Sequence, residues 1–268
     1  MRLPALPLAQ EREGFHAPGI EIFEWPDIVH LEVAGIDLSI NRVVLQMFLI
    51  ALLTWGLFFF AFRSPKLVPS GLQNVMESIV DFIRGQIVLE VIGREGLRFL
   101  PYLTTLFVFV FFGNLGGIIP PIFFPLNGRM ALPAIMAICS LLLFISIGIS
   151  QQGFVSYFKN ALFPPGMPKA IYILLTPIEL ISTFVVRPVT LAIRLLANMI
   201  AGHLILSVFF VATGYMLTSM NISAVFGVGA LIFSVALIAF ELFVAGLQAY
   251  VFTILSAVYI AGALEPEH

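Results

Sequence analysis

PIELISTFVVRPVTLAIRLLANMIAGH, residues 177–203, decides what kind of molecule this is. From Ile171 to Leu217 almost every side chain would dissolve in lipid, yet Glu179, Arg187, Arg194, Asn198 and His203 interrupt the run. An arginine at mid-membrane costs about 2.5–3.5 kcal/mol on insertion scales, and more in simulation. Its guanidinium cannot escape by losing a proton, because its pKa stays above about 12. A permanent positive charge in so apolar a setting implies that the assembled protein uses it.

Composition supports the setting. The chain is 60% hydrophobic and only 10% charged, with a mean hydropathy of +1.06. Soluble domains carry about 25% charged residues, so the fold class expected is an all-α integral membrane protein. Long continuous apolar runs exclude a β-barrel, whose strands would alternate. A net charge of −2 gives no ground for nucleic-acid binding. The one cysteine, Cys139, lies in an apolar run and is expected to be a buried small hydrophobe. MRLPALPLAQEREG lacks the apolar core of a signal peptide, and no internal repeat is apparent.

Working outward, the chain reads as one membrane domain. Residues 1–41 are polar and Pro-rich, an expected external segment, and 43–62 form the first span. Residues 70–92 mix Glu77, Asp81, Arg84 and Glu90 with Val, Ile and Phe, the pattern of an amphipathic helix at the interface or leading into the next span. Residues 99–124 and 130–158 read as a helical hairpin about the turn Pro125–Arg129. Asn114 beside Gly116 and Gly117 suggests close helix contact, with two roles open to it: packing glue or ion ligand. Pro164–Pro168 then makes a firm break. Residues 63–98 hold five Lys and Arg, whereas 13–41 hold none. The positive-inside rule therefore puts 63–98 in the cytoplasm, the N-terminus outside and, after five crossings, the C-terminus inside. Lys159 and Lys169 fall inside under the same assignment.

The last two blocks, 171–217 and 223–263, would measure roughly 60–70 Å as helices, twice the hydrocarbon thickness. They must tilt steeply or break, and steep tilt is the expectation, although Pro177 and Pro188 permit kinks. Folded as an antiparallel hairpin about Thr218–Ser223, Arg194 faces the neighbourhood of Gln248, and His203 that of Glu241. Arg187, Arg194 and Asn198 share a helix face; so do Glu241 and Gln248. His203 lies about 180° round the helix from Arg194, so the His203–Glu241 pair lines a different wall. Imidazole titrates near neutrality and a carboxyl can be tuned towards that range, which suits the pair to proton relay, with Asn198 and Gln248 holding water. Blander readings remain open: an Arg–Glu pair as structural glue, His203 as a packing histidine, and Arg187 snorkelling to an interface. Glu179 either borders a second aqueous opening or caps a kink near Pro177.

No catalytic machinery accompanies these residues: the sequence has no Walker loop, G-x-S-x-G, paired Cys or H-E-x-x-H. No metal or cofactor is expected. A free-standing transporter binding an anion at Arg194 would carry inverted repeats around broken helices, and none is seen.

PIELISTFVVRPVTLAIRLLANMIAGH followed by ELFVAGLQAYVFTILSAVYI (residues 241–260) resembles subunit a of the F-type ATP synthase, in its actinobacterial versions above all. LVPSGLQ (67–73), FFGNLGGIIP (111–120) and Met167–Ala170 extend the resemblance over nearly the whole chain. The resemblance implies a stator subunit whose last two helices lie against a rotating ring of c subunits, alongside peripheral-stalk b subunits, in a bacterial plasma membrane. Arg194 matches the essential arginine that attracts the ring carboxylate and blocks a leak between two offset half-channels. His203 and Glu241 match the pair lining the half-channel open to the outside, with Asn198 and Gln248 nearby. Glu179 is assigned to the inner half-channel; Arg187 and Asn114 support. Leu196 departs from the commoner Arg-Leu-Phe-x-Asn pattern. No small-molecule substrate beyond the translocated proton is implied.

Overall fold

The computed structural model describes residues 19, 32–33, 36–37, 41–118, 126–163, 169–218 and 223–264. Expectations for most of the N-terminal segment, the Pro164–Pro168 break, the tip of the last hairpin and the C-terminal Glu265–His268 lie outside the described residues. Apart from a two-residue antiparallel pair, β1 (Glu32–Val33) with β2 (Ile36–Asp37), the described fold is helical. Among the described residues, five helices are long and apolar enough to cross a membrane: Arg42–Phe62, Arg94–Leu115, Ala131–Gln152, Ile171–Thr218 and Val225–Leu264.

The first helix, α1 (Arg42–Phe62), starts where Asn41 Oδ1 accepts from the Val44 N–H at 3.0 Å, a cap typically worth about 1 kcal/mol. It packs on α2 (Leu72–Ile83) and α3 (Leu100–Leu115) through a narrow stripe, Gln46, Ile50, Thr54 and Ala61. Amphipathic α2 widens into a π-helical stretch, Arg84–Ile92. Its apolar edge, Ile83, Ile87 and Val88, is fully buried with Leu103, Phe144, Ala257 and Ile260. Asp81, Arg84 and Glu90 stay exposed on the other side.

Within 130–158 the helix does not run through. α4 (Ala131–Gln152) stops at Gly153, whose φ of 81° turns the chain into α5 (Phe154–Leu162). Cys139 corrects the sequence reading: it is exposed, beside Ile135, Ile138 and Leu142, while Leu132, Met136, Ser140 and Phe144 face inward. The reason is physical. A helix face that meets lipid is as apolar as one that meets protein, so hydrophobicity does not distinguish the two.

The fourth apolar block is α6 (Lys169–Ile181), a π-helical stretch Ser182–Val186, and α7 (Arg187–Thr218), continuous through both prolines. Pro188 has no N–H for the Phe184 carbonyl and its ring presses on that turn; the wider π turn immediately before it accommodates both demands. The final helix, α8 (Ser223–Leu264), runs unbroken. Helices of this length exceed 30 Å of hydrocarbon by a factor of about two and so cannot stand upright in it. α7 and α8 pack as an antiparallel hairpin: Leu217 meets Gly227, the Phe209 and Phe233 rings lie 4.8 Å apart, and Asn198 meets Gln248. Around them α3 packs on α8, and α4 on both α7 and α8. The shared core is Leu106, Val110, Met136, Leu191, Leu195 and Phe252.

Candidate functional site

The hairpin register brings two helix faces into one seam. On α7 the inward residues are Leu191, Leu195, Met199, His203 and Leu206; on α8 they are Glu241, Ala245, Gln248, Ala249 and Phe252. Polar side chains sit in that apolar seam at helical spacing. Asn198 Nδ2 donates to Gln248 Oε1 at 2.7 Å, joining the helices. Such a bond between membrane helices contributes about 0.6–2 kcal/mol. Sequence reasoning put Arg194 in the neighbourhood of Gln248; the α7 side chain that bonds Gln248 is Asn198, one turn further along.

Glu241 is 6% exposed and, among the described residues, forms no hydrogen bond or ion pair. It lies against Gly202 of α7, where even a methyl group would stand 3.2 Å from Oε1; a glycine there lets the carboxyl approach the neighbouring backbone. His203 is buried on the same seam. The register thus puts His203 and Glu241 in one region, while Glu241 itself bonds to neither His203 nor any other described group. A buried carboxyl that no described group satisfies is a costly feature for packing and a serviceable one for exchanging protons.

The end of α3 closes the seam. Asn114, 1% exposed, points its Nδ2 at the Ala245 carbonyl at 3.5 Å, between Glu241 and Gln248 along α8. It accepts from Asn127 Nδ2 at 2.6 Å, and Asn127 is fully buried in the short helical turn Leu126–Gly128. Asn127 was read from the sequence only as part of a polar turn. Its signal was weak, since Asn-Gly after Pro is also what an exposed turn looks like.

Arg194 faces the opposite way. It is exposed on α7 beside Ile193, Ala197 and Asn198, which are exposed as well. Among the described residues it has no hydrogen bond, ion pair or aromatic partner. Lipid would not tolerate a bare guanidinium there, so this face fits water or a partner carrying negative charge.

A second polar region lies at the far end of the hairpin. Glu179, Thr183 and Arg187 line a cleft of about 970 Å³ together with Arg94, Glu95, Gln152, Asn160, Tyr157 and Tyr259. Spacing of four residues through the π-helical stretch keeps Glu179, Thr183 and Arg187 on one wall, where a plain α-helix would drift by about 80° over eight residues. The Arg187 guanidinium stacks 5.5 Å from the Tyr259 ring centroid. It also stands near Tyr157, whose phenol is pushed up by burial and drawn down, less strongly, by this cation. Of the cleft residues, the sequence singled out only Glu179 and Arg187; the remainder come together through tertiary packing of α5, α8 and the 94–99 segment.

No group of three or more His, Cys, Asp or Glu suited to a metal occurs among the described residues. The ATP synthase A chain family model matches residues 44–261. ATP synthase subunit a of Frankia alni is 44% identical over 253 residues, covering 94% of this chain and 87% of that protein. The subunit a of Rhodococcus erythropolis is 43% identical, covering 95% and 92%, and that of a Nocardioides species 39%, covering 96% of each. With the motifs, the helical architecture and near full-length similarity in agreement, the chain belongs to the ATP synthase subunit a family, as a multi-pass bacterial membrane protein of the actinobacterial kind.

Proposed function

We propose that this proton-translocating stator subunit of an F-type ATP synthase offers two offset half-channels to a rotating c ring, with Arg194 as the barrier between them. The observation that carries the reading is Arg194 itself: an exposed guanidinium, without a partner among the described residues, in a largely apolar helix. On this reading a ring carboxylate is the missing anion. The seam of Asn198, His203, Glu241 and Gln248, with Asn114 at its end, serves protons from the outside. The Glu179 cleft, whose Arg187 is two turns or about 10 Å along α7 from Arg194, opens to the cytoplasm.

The cycle follows from charge. A proton arriving through the seam neutralises a ring carboxylate, and that ring site can then turn into lipid. A site returning from lipid gives up its proton to the wet cleft, and its carboxylate then meets Arg194. A potential of about 100 mV supplies roughly 2.3 kcal/mol per proton, so several must be gathered mechanically for each ATP. Peripheral-stalk b subunits hold the chain against the rotating ring; its N-terminus lies outside and its C-terminus in the cytoplasm.

Arg194→Ala is the test. In inverted membrane vesicles it should reduce ATP-driven proton pumping about a hundredfold or more, while the soluble part still hydrolyses ATP. Coupled pumping at the wild-type rate would overturn the assignment.

A further inference from the structure

Asn127 has no place in the half-channel reading, yet its surroundings are those of a functional side chain. It is fully buried, it donates from Nδ2 to Asn114 Oδ1 at 2.6 Å, and its own Oδ1 has no hydrogen-bond partner among the described residues. Asn114 in turn reaches the Ala245 carbonyl at 3.5 Å, on the buried face of α8 that carries Glu241 one turn before and Gln248 three residues after. Glu241 Oε2 and Gln248 Nε2 are likewise buried without partners. Three orphaned polar atoms thus gather round one hydrogen-bonded strut that runs from the 126–128 turn through α3 to α8. A native interior rarely leaves such groups unsatisfied without a use for them.

We infer that Asn127 is a positioning residue for proton transfer at Glu241: it fixes the Asn114 amide, and through it the Glu241–Gln248 face of α8. The inference rests on the seam being a proton path. The Asn127 N–H sets the direction of the strut, because a donor on residue 127 leaves the Asn114 oxygen satisfied and turns its N–H towards Ala245. The Asn127 oxygen, without a partner among the described residues, remains an acceptor for water.

Asn127→Asp in the complete complex tests this with a readout that space-filling would not move. An ionised aspartate is acceptor-only and cannot bond Asn114 Oδ1; a protonated one donates and restores the strut. The ratio of variant to wild-type ATP-driven pumping should therefore rise about tenfold as vesicles are taken from about pH 8 to about pH 6. Asn127→Leu, which fills the space with no donor, should pump about tenfold below wild type at every pH, with the complex still assembled. A flat Asp ratio, or one rising towards alkaline pH, overturns the inference. So does a leucine variant that pumps as wild type. Arg194→Ala, measured in the same vesicles, separates the two failures: normal pumping by that variant sinks the motor reading, whereas normal pumping by the Asn127 variants alone sinks only the strut.

Discussion

The seam between α7 and α8 and the cleft beyond Arg187 treat polar groups in opposite ways. In the seam, Asn114, Asn127, Glu241 and Gln248 are all under a tenth exposed, and each either pairs with one neighbour or has an atom left over. In the cleft, Glu179 and Arg187 are half-buried beside a space of about 970 Å³, room enough for tens of waters. A tight seam can pass a proton only through side chains held in fixed geometry, since transfer needs donor and acceptor within about 3 Å. A wide cleft can pass it through water along many parallel routes. Geometry therefore makes one region intolerant of substitution and the other forgiving.

Below the near-total loss expected of Arg194→Ala, the largest effect should come from Glu241→Gln. The substitution keeps the volume and the hydrogen-bonding capacity and removes the exchangeable proton. Pumping should fall about a hundredfold, the usual scale for losing a positioned acid–base group, with the complex intact on purification. Flux at the wild-type rate across the neutral pH range would take Glu241 out of the path and erase the contrast. Asn198→Ala should come next. Without its donor, the Gln248 amide, only 3% exposed, is left with neither end satisfied. The expected cost is about tenfold in pumping, together with earlier dissociation of the complex in detergent.

How far the sequence revealed this contrast depends on which force set each feature. The hairpin was legible, because two polar pairs and a short turn leave an antiparallel register little freedom. Its finer pairing was not: Arg194 and Asn198 share a face four residues apart, and only side-chain packing decides which of them meets Gln248. The outward direction of Cys139 was illegible for a different reason, since lipid and protein interior select the same residue types. Asn127 was hidden by its turn-like neighbours, and the π-helical stretch before Pro188 leaves no pattern that a helical period would detect. The cleft is assembled from separate segments spread between Ile92 and Leu264, so no local motif announces it. Polar residues forced into an apolar run stand out at once; polar residues gathered by folding do not.

The smallest effect should come from Glu179→Gln, and its smallness is the point. Glu179 shares the cleft with Arg94, Glu95, Arg187, Gln152 and Asn160, so water there has many polar anchors besides one carboxylate. Removing the charge leaves the volume unchanged and the aqueous route open. Pumping should then drop by no more than about threefold, because water-mediated links replace one another at little cost. A bulkier change at the same wall, Thr183→Phe, narrows the space itself and should cost more than Glu179→Gln does. If instead Glu179→Gln proves as damaging as Glu241→Gln, the cleft is no open vestibule: a single carboxylate would be carrying every proton, and Glu179 would belong with the tightly held groups of the seam.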